Sequence, residues 1–236
     1  MRITEVRTTQ VRVPLNVKAK WSGGTREAAP ALVVELLTDE GLVGLGECAG
    51  PSIPLLRAAV NEELRPYLVG ADPMRTAWLL QRMEEHVVNW PGVGAHAIAG
   101  VEIALLDLKA KALGVPLYEL LGGASRQRVS WAGYIFIDTP EVNARQAASY
   151  VSAGFREIKV KVGRDPELDM RRLGAIREAV GSDVKLRIDV NQGWSVPTAV
   201  KWIRRMEQFD LQYVEQPTPW YDLEGMRQVS ESVGVP

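Results

Sequence analysis

From residue 129 onward, hydrophobic positions alternate between two rhythms. Four short runs rich in β-branched residues, starting at Val129, Glu157, Val184 and Leu211, have the length and composition of buried strands. The segments between them carry apolar residues at helical spacing behind clear start signals. Thr139-Pro140-Glu141 starts the helix behind the first strand, and Asp165-Pro166 precedes the stripe Leu173, Ile176 and Val180. Ser195 with Pro197 precedes Val200, Ile203 and Met206, and Asp222 opens a fourth helix through Leu223 and Glu224. Four strand-helix units in succession predict a parallel sheet with helices outside it.

The polar positions of these strands are the anomaly. In a strand, residues two apart point the same way, so Val160 and Val162 share one face while Lys159 and Lys161 share the other. Burying two neighbouring ammonium groups is costly without a purpose. The alternative is a solvated pair on an edge strand. The next strands carry charges late in their length as well, Asp189 with Asn191 and then Glu215, for which structural ion pairing is the alternative. A doubly wound sheet would bury these residues under helices. In a barrel the carboxyl ends of successive strands converge on one mouth, where barrel enzymes keep their chemistry, and all five residues fit that location.

The first 125 residues have a different order. Ile3 to Val13, Ala31 to Thr38 and Leu42 to Cys48 read as strands, the last two joined by the turn Asp39-Glu40-Gly41. Three helical stretches follow, roughly 52–69, 74–89 and 95–113, with Pro91-Gly92 as a break before the third. Strands first and helices after indicate an α+β unit. The expected fold class is therefore α/β, an α+β domain over 1–125 followed by an incomplete TIM-type (β/α) barrel over 126–236, with the junction near Gly122-Gly123.

Composition narrows the partners. With 46% hydrophobic and 24% charged residues and a net charge of -1, nothing favours nucleic acid or an anionic membrane. No signal peptide and no apolar run long enough to span a bilayer are read, so the expected location is cytoplasmic. The single cysteine, Cys48, excludes an internal disulfide and reads as a small buried residue. His86 and His96 fall in helical segments and read as structural.

At this point the motifs resemble a family. Lys-x-Lys at 159 and 161, Asp-x-Asn at 189 and 191, and Glu215-Gln216-Pro217 stand in the order found in the mandelate racemase and muconate lactonizing branch of the enolase superfamily. The stretch from Ala104 through Gly114-Val115-Pro116 to Leu121-Gly122-Gly123 is similar to its N-terminal capping domain. The resemblance implies Mg2+-dependent removal of the proton α to a substrate carboxylate, with an enediolate intermediate that must be stabilised as it forms. It implies that Lys161 is the base on one face of the substrate, and that Lys159 beside it favours a neutral Lys161 and contacts the substrate carboxylate. It makes Asp189 and Glu215 metal ligands, with Asn191 lining the pocket. It also points to segments 17–25 and 49–54 as loops that close over the mouth. Lys18, Lys20 and Trp21 are candidate substrate contacts there, and Tyr134, Phe136, Trp194, Trp220 and Tyr221 are candidates to line the mouth.

About 110 residues follow residue 125, whereas a complete barrel takes ~200 or more. The third metal carboxylate and the base on the opposite face are accordingly expected in a longer parent chain, and the 236 residues alone are expected to be inactive. Asp189-Val190-Asn191-Gln192-Gly193-Trp194 and Glu215-Gln216-Pro217 look more like the muconate lactonizing subgroup. That favours a cycloisomerase, racemase or epimerase over a sugar-acid dehydratase, with a catalytically incompetent fragment as the alternative from another class. The expected partners are a small-molecule carboxylate and further copies of the chain in a homo-oligomer.

Overall fold

Two sheets organise the chain. In this computed structural model, which describes residues 1–50 and 52–236, contacts group Met1–Pro14 with Ala28–Gln127 as one unit and Leu15–Glu27 with Arg128–Pro236 as another. Strands β1 (Ile3–Trp21), β2 (Gly24–Thr38) and β3 (Val43–Cys48) lie in that order in the first sheet. β2 and β3 are antiparallel, with Leu36 opposite Gly44, across the expected turn. Gly41 takes φ +78° there, which glycine adopts without steric cost.

Helix α1 (Ile53–Ala58) continues through a π-helical turn, Ala59–Leu64, into α2 (Arg65–Leu68). Pro66 explains the change of winding: it has no N–H to return, and the rephased ladder places it in the first turn of α2, where none is needed. α3 (Thr76–Val87), α4 (Pro91–Leu113) and the short α5 (Leu117–Leu120) follow. The sequence reading placed a break at Pro91-Gly92, but α4 begins there, because proline at the first helical position is preorganised and lacks only a donor that would be unsatisfied anyway. Of the expected lid segment 49–54, Ile53 and Pro54 open α1 and Pro51 lies outside the described residues.

α4 is, contrary to expectation, long and apolar enough to cross a membrane by length and composition. Its buried residues Gly94, Ala97, Ile98, Val101, Ala104, Leu105 and Leu108 instead form one stripe within the core of the first unit. Backbone meets backbone where α4 packs on β3: a Cβ on Gly46 would stand 2.0 Å from the Gly100 carbonyl oxygen and 2.8 Å from the Ala104 nitrogen. Gly46→Ala is therefore expected to destabilise the protein by about 1–3 kcal/mol or more, since neither backbone atom can rotate away. A urea midpoint equal to wild type would contradict this contact. Cys48 lies in the same interface, free and fully buried, and burial pushes its thiol up to about 11.

In the second unit, β4 (Gly133–Ile135), α6 (Pro140–Ser152), β5 (Glu157–Lys161), α7 (Pro166–Val180), β6 (Lys185–Asp189), α8 (Val196–Met206), β7 (Leu211–Glu215) and α9 (Leu223–Ser232) alternate as expected. The caps do what the sequence indicated. Asp165 accepts from the N–H groups of Glu167 and Leu168, Thr139 from Val142, and Asp222 from Gly225, whereas Ser195 pairs with the Thr198 hydroxyl instead. The sheet order β4-β5-β6-β7 is sequential and parallel, without the reversal of a doubly wound fold. One face of the sheet, with Ile158, Val160, Val162, Leu186, Ile188 and Val190, packs against Leu173, Ile176, Ala199 and Ile203 of the helices. β4 is shorter than expected, because Val129 and Trp131 are exposed and do not join the core.

The segment 17–25, expected as a loop, is the end of a hairpin. β1 runs unbroken to Trp21 and β2 resumes at Gly24 after the turn Ser22-Gly23. A boundary drawn at residue 125 would assign this hairpin end to the first unit, yet by contacts it belongs with the second.

Candidate active site

Strand register brings the charged residues together. Lys161 is opposite Asp189, and Asp189 is opposite Glu215, at the carboxyl ends of β5, β6 and β7. Lys161 Nζ donates to Asp189 Oδ2 at 2.6 Å. Lys159, one pleat lower, extends between the two carboxylates, with Nζ 3.0 Å from Asp189 Oδ2 and 2.5 Å from Glu215 Oε2. Asp189 Oδ1 takes the remaining donor, the Asn191 N–H, at 2.9 Å. The Asp189 side chain is 1% exposed and those of Lys159 and Lys161 are 9% and 14% exposed, while that of Glu215 is 40% exposed.

The electrostatics follow from that packing. Burial alone would lower the pKa of Lys159, but hydrogen bonds to Glu215 and Asp189 outweigh it and push the ammonium up to about 12. Burial likewise works to raise Asp189, yet the hydrogen bonds from Lys161 and Lys159 prevail and hold its carboxyl below the usual range. The cluster thus interleaves two lysine side chains with two acidic ones.

The same geometry tests a metal site. Asp189 Oδ2 and Glu215 Oε2 reach one nitrogen, so they are no farther apart than the sum of its two contact distances. That lies inside the ~7 Å within which two carboxylates, at ~2.1 Å per metal-oxygen bond with some side-chain adjustment, share a Mg2+. Two hard oxygens already converging on one positive centre fit a divalent cation. Among the described residues no cluster of three His, Cys, Asp or Glu side chains forms, and Asp189 and Glu215 are the pair that could hold such an ion.

The remaining candidates divide. Asn191 was read on the strand face, but β6 ends at Asp189, and Asn191 and Gln192 turn into the left-handed region at φ 50° and 68°. Gln216 does the same at 43° directly after Glu215. Non-glycine residues in this region are uncommon and collect at functional sites. Here they let the two loops bond to each other, Gln192 N–H to the Gln216 carbonyl at 2.8 Å and Trp194 N–H to that of Pro217 at 3.1 Å. The Asn191 Oδ1 atom is buried without a partner beside the Asp189 carboxylate that its own N–H caps. Tyr134 is brought to the cluster, its ring centroid 5.5 Å from Lys159 Nζ. Trp194 is a core residue, whereas Trp220 and Tyr221 are exposed and stacked edge-on.

Lys18, Lys20 and Trp21 make no hydrogen bond to the cluster among the described residues. Lys18 pairs with Glu27 at 2.8 Å, and Lys18 and Lys20 line a cleft of about 440 Å³ with Phe136, Asp138 and Gln146. Trp21 serves through its backbone: its carbonyl accepts from Arg164 Nε at 2.6 Å, and Arg164 also holds the Gly24 carbonyl. Ser22 Oγ donates to the Val190 carbonyl at 2.5 Å. Arg164 and Ser22 thereby fasten the hairpin turn to the loops after β5 and β6. Ser22 lies within the segment 17–25 already singled out, whereas nothing in the sequence marked Arg164. His86 is paired with Glu63 in the first unit, in keeping with a structural role.

The sequence and fold have counterparts in known proteins. The profile of the mandelate racemase / muconate lactonizing enzyme N-terminal domain matches residues 3–122, and that of the enolase C-terminal domain-like family matches 143–236. A hydrophobic dipeptide epimerase of Enterococcus faecalis is 35% identical over 99% of this chain and 66% of its own length. The structure of that organism's dipeptide epimerase with Mg and the dipeptide L-Leu-L-Tyr superimposes with a TM-score of 0.87, covering 100% of this chain and 66% of that one. The substrate-liganded L-Ala-D/L-Glu epimerase of Bacillus subtilis superimposes with a TM-score of 0.91 at 34% identity, covering 100% of this chain and 67% of that one. A cis-3-hydroxy-L-proline dehydratase of Roseibium aggregatum is 34% identical over 94% of this chain and 61% of its own length, and further relatives are racemases and cycloisomerases. The chain spans about two thirds of the length of these relatives. With its two matching profiles and its sequential parallel strand-helix units, it belongs to the mandelate racemase and muconate lactonizing enzyme family of the enolase superfamily.

Proposed function

We propose that this chain carries one face of a Mg2+-dependent isomerase site that removes and returns the proton α to a carboxylate, in a racemase or epimerase of small acylated amino acids such as dipeptides. The observation that carries this reading is the convergence of Lys159, Lys161, Asp189 and Glu215 on one point at three adjacent strand ends. The dipeptide epimerases of E. faecalis and B. subtilis among its relatives support the substrate class.

Each residue has a role in this scheme. Lys161 is the base: its one carboxylate partner is Asp189, so a metal taken up by Asp189 would release the lysine side chain, and loss of its proton to solvent would leave the neutral amine that takes the proton from the substrate Cα. Asp189 and Glu215 are the oxygen ligands this chain contributes, and a bound Mg2+ would stabilise the negative charge that develops on the substrate carboxylate. Lys159, released from the two carboxylates, would turn its charge to that same carboxylate, and Tyr134 flanks it. Inversion at the α-carbon then needs a second acid-base group on the opposite face.

The test is α-proton exchange in D2O by the intact protein, with a pool of L,L-dipeptides and N-succinyl amino acids as probes. Deuterium should enter the α-position only when Mg2+ is present, should stop on adding EDTA, and should be accompanied by the second epimer. A 2-oxo product from a 2,3-dihydroxy acid would identify a dehydratase instead. No exchange in either pool would overturn the substrate class.

A further inference from the structure

The end of β5 is held by side chains where the sheet runs out. β4 pairs with β5 only as far as Ile135 opposite Val160. Beyond that point the Val162 N–H still reaches β6, at the Asp189 carbonyl, so the Lys161 carbonyl and the Gly163 N–H face the side that β4 has left. An ion pair on α7 takes the place of the missing strand. Arg172 Nη1 donates to the Lys161 carbonyl at 2.9 Å, and Asp169 Oδ2 accepts from the Gly163 N–H at 2.8 Å. Arg172 Nη1 and Asp169 Oδ1 are themselves 2.6 Å apart. The rest of the guanidinium is also spent, with Nη2 on the Phe136 carbonyl at 3.1 Å and Nε on Asn143 Oδ1 at 2.6 Å.

This is a costly way to fill a helix-sheet interface. Arg172 is 0% exposed and Asp169 1%, on the same buried stripe of α7 as Leu173 and Ile176. Burial raises the Asp169 carboxyl and lowers the Arg172 guanidinium, in each case against the pull of the partner. Buried ion pairs can often be replaced by hydrophobic residues with no loss of stability, so stability alone gives weak reason for one here. What the pair does provide is a fixed orientation for the two peptide groups that flank Val162, and Lys161 projects from the first of them.

We infer that Arg172, held in place by Asp169, is a positioning residue for Lys161, setting the backbone from which that lysine reaches the substrate by standing in for the strand that β4 does not supply. This rests on the role proposed above for Lys161 as the base on one face. A misplacement of about 1 Å can cost ~100-fold in rate, and the long lysine side chain amplifies a small rotation of its peptide.

The experiment uses Arg172→Lys and Asp169→Asn in the intact protein, with amide hydrogen exchange of the segment 157–165 and α-proton exchange of an L,L-dipeptide and its epimer measured separately. Lysine keeps the charge beside Asp169 but cannot bridge the Lys161 and Phe136 carbonyls together. Protection of the 157–165 segment should fall while the rest of the second unit stays protected. Exchange of the epimer whose proton faces Lys161 should fall by ~10–100-fold in kcat with KM within about twofold, and exchange of the other epimer should hold within about twofold. Equal losses from both epimers would reduce Arg172 to a structural residue and overturn the inference, as would unchanged protection in Arg172→Lys. If the wild-type protein exchanges no α-protons at all, the proposed function fails, and the amide protection of Arg172→Lys still decides whether Arg172 holds the end of β5. Should Asp169→Asn fail to fold, Arg172→Lys alone carries the comparison.

Discussion

Lys161→Ala is expected to lower Mg2+-dependent α-proton exchange from one face of the substrate by ~100-fold or more, the usual cost of losing a general base. The fold should survive, because Lys161 leaves no orphan behind. Its partner Asp189 keeps the Lys159 ammonium at 3.0 Å and the Asn191 N–H at 2.9 Å. Metal affinity should change little for the same reason, since both carboxylates remain. Exchange read separately from two epimeric dipeptides in D2O, together with Mn2+ titration, checks the assignment. Wild-type exchange rates from both faces would remove Lys161 from the mechanism, and lost metal binding would recast it as a structural partner of Asp189.

How much of this could be read from the chain depended on whether the signal was local. Lys159 and Lys161 were legible because a strand's period of two makes a shared polar face explicit, and Asp189 and Glu215 because they sit late in β-branched runs of the same kind. Asn191 was misplaced, since the left-handed turn that removes it from β6 is set by hydrogen bonds to the loop after β7, far along the sequence. The hairpin end at 15–27 was half visible. Val11, Val13, Leu15 and Val17 keep a strand rhythm, but the strand was read only to Val13, and in the structure it continues through Pro14, which lies at an exposed position. Arg172 was illegible for a different reason: an arginine on a helix normally reads as solvated. The one available hint was that Asp169 and Arg172 lie four residues before Leu173 and Ile176, on the apolar stripe itself.

The same contrast between buried and exposed charge separates the two proposed metal ligands, and Asp189→Asn should be the more damaging substitution. The amide keeps the shape but replaces one acceptor with a donor and removes the charge that two buried lysines share. Lys159 would retain Glu215, while Lys161 would keep no carboxylate partner. Breaking a buried pair in this way typically costs ~3–5 kcal/mol. Glu215→Gln removes a 40% exposed side chain whose lysine still has Asp189, and a pair of that exposure contributes about 1 kcal/mol or less. Unfolding in urea with EDTA present should therefore rank Asp189→Asn well below Glu215→Gln. Mn2+ titration should find both weakened beyond the ~10–100-fold typical of losing a group behind a metal ligand. Equal stabilities would mean that Asp189 does not hold the lysines in the metal-free protein. Undiminished Mn2+ binding in either variant would take that residue out of the metal site, leaving the four side chains as an ion-pair network at the strand ends.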